Sequence, residues 1–207
     1  ITIPEGVTNI DFQAFEDCSS LTCITIPKGE TSIRREVFSG CSSLTSIEIP
    51  EGVPRIQAYA FEDCSSLTNI IIPKGVTSIQ GYAFSDCRGL TSIEIPESVN
   101  SIGRHAFSGC SGLTSISVED GNTVYDSRDN CNAIINGEKL IVGCMNTMIP
   151  KGVTSIGNYA FEYCSGLTNI EIPEDVANIG VSAFEGCTGL ISIEIPKEVT
   201  IIKDSVF

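Results

Sequence analysis

Residues 90–112 read LTSIEIPESVNSIGRHAFSGCSG, and the same pattern recurs every 23 residues through most of the chain. A shift of the sequence by 23 residues aligns prolines with prolines and phenylalanines with phenylalanines, so that each forms a column of equivalent positions. The prolines are Pro4, Pro27, Pro50, Pro73, Pro96, Pro150, Pro173 and Pro196. The phenylalanines are Phe15, Phe38, Phe61, Phe84, Phe107, Phe161, Phe184 and Phe207. A fixed repeat of about 20–50 residues indicates a solenoid, in which successive units stack along one axis.

Each unit is expected to begin with a short strand. Ile93 and Ile95 alternate with Glu94, so the two isoleucines share one face, and Pro96 ends the strand because it has no N–H to donate. Stacked units pair such strands in parallel. Nine strands are predicted, each within two residues, at 1–3, 24–26, 47–49, 70–72, 93–95, 116–118, 147–149, 170–172 and 193–195.

The second half of the unit predicts a short helical turn, since Ala106, Phe107 and Cys110 have helix-like spacing. The fold class expected from these features is an α/β solenoid of mostly short parallel strands, with one helical turn per repeat. The phenylalanines are expected to form a buried spine along its axis. The residue after each proline alternates in charge, as at Lys74 and Glu97, which predicts attraction between neighbouring units.

The period is broken once, after the sixth strand. Pro96 and Pro150 are 54 residues apart, eight more than two periods, and the unit between them lacks the Ala-Phe-x-x-Cys signature. Apolar runs at 133–135 and 140–142 flank Asn136-Gly137, a strong hairpin signal. We therefore expect one solenoid domain over 1–207, with a β-hairpin insertion at about 123–146 that projects in place of the helical turn. Both ends fall in mid-repeat, which suggests a piece of a longer chain.

Cys131 and Cys144 flank this hairpin, and their relation depends on its turn. A turn at Gly137-Glu138 would place them opposite each other, within reach of a disulfide. A turn at Asn136-Gly137, which the turn rule favours, would place them diagonally and too far apart.

Cys23 occupies a surface position on a strand and is interpreted as a free thiol. The other seven cysteines form a column, one per regular unit: Cys18, Cys41, Cys64, Cys87, Cys110, Cys164 and Cys187. Buried free thiols are favoured over a metal or disulfide ladder, because metal sites need paired ligands. His105, the single histidine, stands in a tyrosine column and is interpreted as a surface residue. The acidic residues Glu119, Asp120, Asp126 and Asp129 lack an EF-hand pattern and are interpreted as a solvated loop rather than a calcium site.

Charge and motifs exclude several function classes. The net charge of −14, from 26 acidic and 12 basic residues, disfavours nucleic acid and anionic membranes as partners. No apolar segment approaches the ~20 residues of a membrane span. No catalytic motif, metal site or cofactor site is recognised, so an enzyme is not expected.

The repeats resemble the BspA-like leucine-rich repeat family of bacterial surface and secreted proteins. Segments 44–50, 152–161 and 165–173 carry the family pattern LTSIEIPEGVTSIGxYAFxGCSG nearly unchanged. The resemblance implies a right-handed solenoid that is extracellular or attached to the cell surface and often serves adhesion. It brings no catalytic residues with it.

Two functions therefore remain open. One is an adhesion module that binds a protein or glycan on a host or neighbouring cell. The other is a structural spacer with no ligand of its own. A binder should show irregular residues on the outward positions of the strands, and Ile71 and Met148 are such irregularities. The candidate binding residues are Ser46, Glu48, Asn69, Ile71, Ser92, Glu94, Asn169, Glu171, Ser192 and Glu194.

Overall fold

The computed structural model describes all residues, Ile1–Phe207, and shows a right-handed β-solenoid of about seven turns. Its only helical segment is a 3₁₀ turn at Arg128–Asn130. The strands are short. In chain order they are β1 (Cys23–Ile24), β2 (Ser46–Glu48), β3 (Arg55–Ile56), β4 (Asn69–Ile71), β5 (Ser78–Ile79), β6 (Ser92–Ile95), β7 (Ser101–Ile102), β8 (Ser115–Val118), β9 (Ala133–Asn136), β10 (Lys139–Gly143), β11 (Ser155–Ile156) and β12 (Asn178–Ile179).

The first parallel ladder has two paired segments, β1–β2–β4 and β6–β8, one after the other along the stack. Partners lie one period apart, as Ser46 opposite Asn69 and Ile93 opposite Ile116 show. These strands confirm the prediction at 24–26, 47–49, 70–72, 93–95 and 116–118, each shifted by about one residue. At the first predicted strand only an isolated bridge forms, between Thr2 and Thr25. The pleat buries the isoleucine of each rung and exposes the residues beside it.

The strands predicted at 147–149, 170–172 and 193–195 do not form. The irregular unit with the insertion at about 123–146, called the interruption below, explains where the ladder stops. The Met148 N–H donates to the carbonyl of Cys131, so segment 147–149 lies against a turn rather than against β8. Without a strand as template, the ladder does not continue from β8 into the later units.

A second parallel ladder was not predicted. It pairs β3, β5 and β7 before the interruption and β11 with β12 after it. Its buried positions are the isoleucine column of the units, such as Ile56 and Ile79, which have no solvent exposure. The apolar residues in this part of each unit were visible in the sequence, but two-residue strands leave too short an alternation to recognise.

The helical turn predicted in each repeat is wrong. Segments such as 57–64 form successive turns, with bonds from Ala60 N–H to Gln57 O and from Cys64 N–H to Phe61 O. Two residues in this segment, Tyr59 and Asp63, have φ near +60° and +56°. A positive φ every fourth residue is incompatible with a right-handed helix. The backbone bonds instead reach the next unit, as from Phe61 N–H to Ala83 O.

The phenylalanine spine forms, with one correction at its ends. Phe61 and Phe84 are fully buried, and their rings stack at 5.4 Å between centroids. Phe15 is only half-buried and Phe207 is 54% exposed, because each lacks a neighbour on one side. The expectation that all spine residues are buried therefore holds only within the stack.

The insertion contains the antiparallel hairpin β9–β10, in which Asn136 pairs with Lys139. The turn is thus Gly137-Glu138, not the favoured Asn136-Gly137. A bulge between Leu140 and Val142 then shifts the register. Cys131 and Cys144 are consequently not opposed, and both thiols are free and buried.

The hairpin does not project from the solenoid. Strand β10 pairs in parallel with β11, with Leu140 opposite Ile156, and so occupies a place in the second ladder. Ala133, Ile135 and Leu140 have no solvent exposure. The hairpin is therefore part of the packed stack.

The spine gives a stability prediction. Phe84→Ala should lower the free energy of unfolding by about 3–5 kcal/mol, because it leaves a cavity among fully buried neighbours. Phe207→Ala, at an exposed end, should lower it by less than about 1 kcal/mol. Urea denaturation followed by circular dichroism compares the two, and equal losses would contradict a stack whose ends are weakly held.

Candidate functional site

The candidate residues of the first ladder lie on one exposed face. Their side chains point away from the core, in the pattern that the pleat dictates. Along the stack, Ser46 lies beside Asn69, and Glu48 lies beside Ile71. Ser92 and Glu94 continue the face on β6, opposite Ser115 and Ser117. We call this surface, formed by the outward residues of β1, β2, β4, β6 and β8, the strand face.

Ile71 is the apolar centre of the strand face, with 74% of its surface exposed. Two shallow depressions adjoin it and share Asn69 and Pro73 in their walls. One, of about 540 Å³, extends toward Cys23 and Glu48, and the other, of about 480 Å³, extends toward Glu94. Together they form a continuous groove with an isoleucine in its middle and carboxylates along it.

One edge of this groove is fixed by an ion pair between Lys74 and Glu119, 2.6 Å apart. The hydrogen bond from Lys74 lowers the pKa of the Glu119 carboxyl. Glu119 Oε2 also accepts the N–H of Glu97, which holds the carboxylate in place. Successive post-proline charges form no ion pair, because Lys74 reaches past Glu97 to Glu119 in the unit beyond it.

The remaining candidate residues lie beyond the interruption, away from the Ile71 groove. Asn169, Glu171, Ser192 and Glu194 are all exposed and line a separate depression of about 390 Å³. No strand forms in these units, so their backbone is not held by a ladder. The structure thus divides the ten predicted residues into two groups. Met148, the other irregularity, is 64% exposed.

The cysteine column lies under the turns. Six of its seven thiols are buried, Cys18 is half-buried, and all are free. Most point at the phenylalanine carbonyl of the preceding unit, as Cys87 Sγ does toward Phe61 O at 3.1 Å. Burial raises the pKa of the Cys41 thiol to about 11 and that of Cys164 to about 12. The thiols of Cys41 and Cys164 are therefore protonated and inert at neutral pH.

His105 is not the surface residue that the sequence suggested. Its side chain is 14% exposed, and Nδ1 lies 2.6 Å from Oε2 of Glu162. The same oxygen accepts a hydrogen bond from Ser108 Oγ at 2.6 Å. The ring also continues the tyrosine column, 4.5 Å from Tyr82 between centroids. The partner is 57 residues away in sequence, beyond the interruption, so no local signal indicated this network.

The acidic residues of the loop do not converge. Asp126 pairs with Arg128 at 2.8 Å, while Glu119 is held by Lys74. No group of three or more His, Cys, Asp or Glu side chains is arranged to hold a metal ion. Nor does any helix have the length and apolar character needed to cross a bilayer.

The sequence matches the family model of the BspA type leucine rich repeat region in six copies, over residues 1–114 and 143–207. The interruption is the part left unmatched. No curated protein matches the chain.

Several solved bacterial structures are similar. A leucine rich cell surface protein of Faecalibacterium prausnitzii A2-165 is 32% identical, with a TM-score of 0.74 over 95% of this chain and 53% of that one. A leucine-rich repeat protein of Bacteroides ovatus is 32% identical, with a TM-score of 0.64 over 95% and 48%. A leucine rich repeat protein of T. pallidum is 28% identical, with a TM-score of 0.61 over 92% and 77%. The chain spans about half the length of the first two proteins.

The buried thiols predict a loss of stability at alkaline pH. An unfolded thiol loses its proton near pH 9, whereas burial raises the pKa of Cys41 and of Cys187 to about 11. Between these values the folded state binds more protons than the unfolded state, so the free energy of unfolding falls as pH rises. The melting temperature should fall from pH 9 to 11. Cys41→Ala should flatten this fall, whereas Cys23→Ser, at an exposed thiol, should leave it unchanged.

The network at Glu162 gives a matched pair of substitutions. Glu162→Gln weakens the bonds to Ser108 and His105 and should lower the free energy of unfolding by about 1–3 kcal/mol. Glu185→Gln changes the same position in the next unit, where the carboxylate has no side-chain partner, and should have almost no effect. Urea denaturation compares them, and equal effects would show that the network does not stabilise the stack.

Proposed function

Because this chain belongs to the BspA-type leucine-rich repeat family, we propose that it is a non-catalytic binding module of the bacterial cell surface, which holds a protein or glycan of a host or neighbouring cell. The similar protein of F. prausnitzii is described as a cell surface protein, which supports this location. The binding surface proposed here is the strand face, centred on Ile71.

The observation that carries the proposal is the exposure of Ile71 on a face that is otherwise polar. An isoleucine gains about 1.5–3 kcal/mol on full burial, and 74% of its surface remains in water in the free protein. Its backbone is paired with β2, so little conformational freedom is lost when a partner covers it. A rigid apolar residue surrounded by polar ones is a typical centre for a binding interface.

The negative charge of the strand face indicates which kind of partner surface it can bind. Glu48 and Glu94 lie on either side of Ile71 along the stack, and the chain as a whole carries a net charge of −14. A neutral or basic contact patch is therefore favoured, with faster association at low salt. The hairpin offers no comparable apolar surface, because its apolar residues are buried in the stack.

A spacer without a ligand is the alternative, and the regularity of the other outward positions favours it. Four units present a small polar residue and a glutamate, as in Ser92 and Glu94. A spacer requires only that such a surface be soluble. The two functions therefore differ in whether the neighbourhood of Ile71 recognises anything.

The test begins with an immobilised panel of matrix proteins and glycans, probed with the purified chain. We expect at least one member to bind, and to bind at least tenfold more weakly to Ile71→Asp and to Glu48→Lys/Glu94→Lys. Surface plasmon resonance at two salt concentrations measures both changes. A partner that contacts the strand face should lose its apolar contact in the first variant and its charge complementarity in the second.

The control is Glu16→Lys/Glu198→Lys, which makes the same change in charge at two exposed positions off the strand face. It should retain full binding. A ligand that binds all variants as well as the parent would place the site elsewhere. Absence of binding to every member of the panel would favour the spacer.

A further inference from the structure

The contacts that join successive units fail at one interface, between the turns of Phe107 and Phe161. Elsewhere three contacts recur. Phenylalanine rings stack, as Phe84 and Phe107 do at 5.5 Å, and a phenylalanine N–H donates to an alanine carbonyl of the next unit. A cysteine thiol also donates to the phenylalanine carbonyl of the preceding unit, as Cys110 does to Phe84.

None of the three forms across this interface. Phe107 and Phe161 do not stack, and Cys164 makes no bond to the Phe107 carbonyl. The carbonyl of Ala160, which should accept from Phe107 N–H, accepts from Gly143 N–H instead, at 2.8 Å. The Phe107 N–H therefore has no acceptor within the protein.

The outer side of the same interface is closed. Gly109 N–H donates to Glu162 O at 3.2 Å, and the His105 and Tyr159 rings lie 3.9 Å apart between centroids. The inner side is held open by the end of β10, where Gly143 lies directly against the Phe161 ring. The sequence explains this geometry, because Asn130 stands where the period would place a phenylalanine.

A cavity of about 230 Å³ occupies the opened side. Its apolar walls include Ile102, Phe107, Val142 and Phe161, and Glu162 lies in its lining. Ile102 is half-buried, whereas Ile79 one unit earlier has no exposure. The buried core is divided at this place into clusters of 36 and 18 residues.

We propose that this cavity binds a small planar aromatic molecule that carries one N–H or O–H donor, such as an indole. A cavity of about 150 Å³ lined by apolar side chains admits benzene, so the larger volume here suits a bicyclic ring. The phenylalanine walls favour an aromatic guest. Glu162 offers an acceptor for its donor, because Oε1 has no bond from the protein while Oε2 is occupied by Ser108 and His105.

Indole itself is the probe. Titration of ¹⁵N-labelled protein with indole should give saturable chemical-shift changes at the amides of Phe107, Gly143 and Glu162. The equivalent amides of an intact interface, Phe61 and Phe84, serve as internal controls and should not move. Shifts that do not saturate, or that are as large at Phe61 and Phe84, would overturn the proposal even without a variant.

Val142→Phe tests the site by filling it. Val142 lines the cavity and is half-buried, so the larger ring should occupy the space and weaken indole binding at least tenfold. Val181→Phe makes the same change at a half-buried position outside the cavity and should bind indole as the parent does. Circular dichroism establishes that each variant is folded. Unchanged binding by folded Val142→Phe would overturn the proposal.

Discussion

Each phenylalanine within the spine lies face to face with its counterpart one unit away, at 5.0–5.9 Å between centroids where the stack is regular. The same 23-residue step brings isoleucine onto isoleucine in both ladders and most of the column thiols to a carbonyl of the unit before. A single unit buries too few side chains to offset the entropy lost on ordering it. The fold therefore depends on contacts between units, and every other feature follows from where those contacts are kept or lost.

The periodicity of the sequence was sufficient to predict the stack, its register and the buried interior of the spine. It predicted the strands from β1 to β8 on the strand face because Ile47 and Ile93 alternate with polar residues. It did not predict the turns, since positive φ at a tyrosine such as Tyr59 has no signal in residue type. The turn at Gly137-Glu138 was also missed, because a bulge and pairing with β11 determined the register rather than the Asn-Gly preference.

The candidate binding residues could be read from the pleat, because outward positions follow from alternation alone. The division of these residues into two groups could not be predicted, since it depends on the ladder ending at β8. The hydrogen-bond network of His105, Ser108 and Glu162 could not be predicted for a similar reason. His105 meets Glu162 only because the irregular unit contributes no turn of its own, so that the turns of the flanking units come into contact. One irregular unit thus separates the two groups of candidate residues, divides the core and creates the cavity.

The central claim is that stability propagates between units and is weakest where the repeated contacts are missing. Native-state hydrogen exchange measures this directly, because it gives an opening free energy for each protected amide. The account predicts high opening free energies for core amides such as Phe61 and Phe84. It predicts a distinctly lower value for Gly109, whose bond to Glu162 crosses the interface between the turns of Phe107 and Phe161. Equal opening free energies at Gly109 and at Phe84 would contradict it.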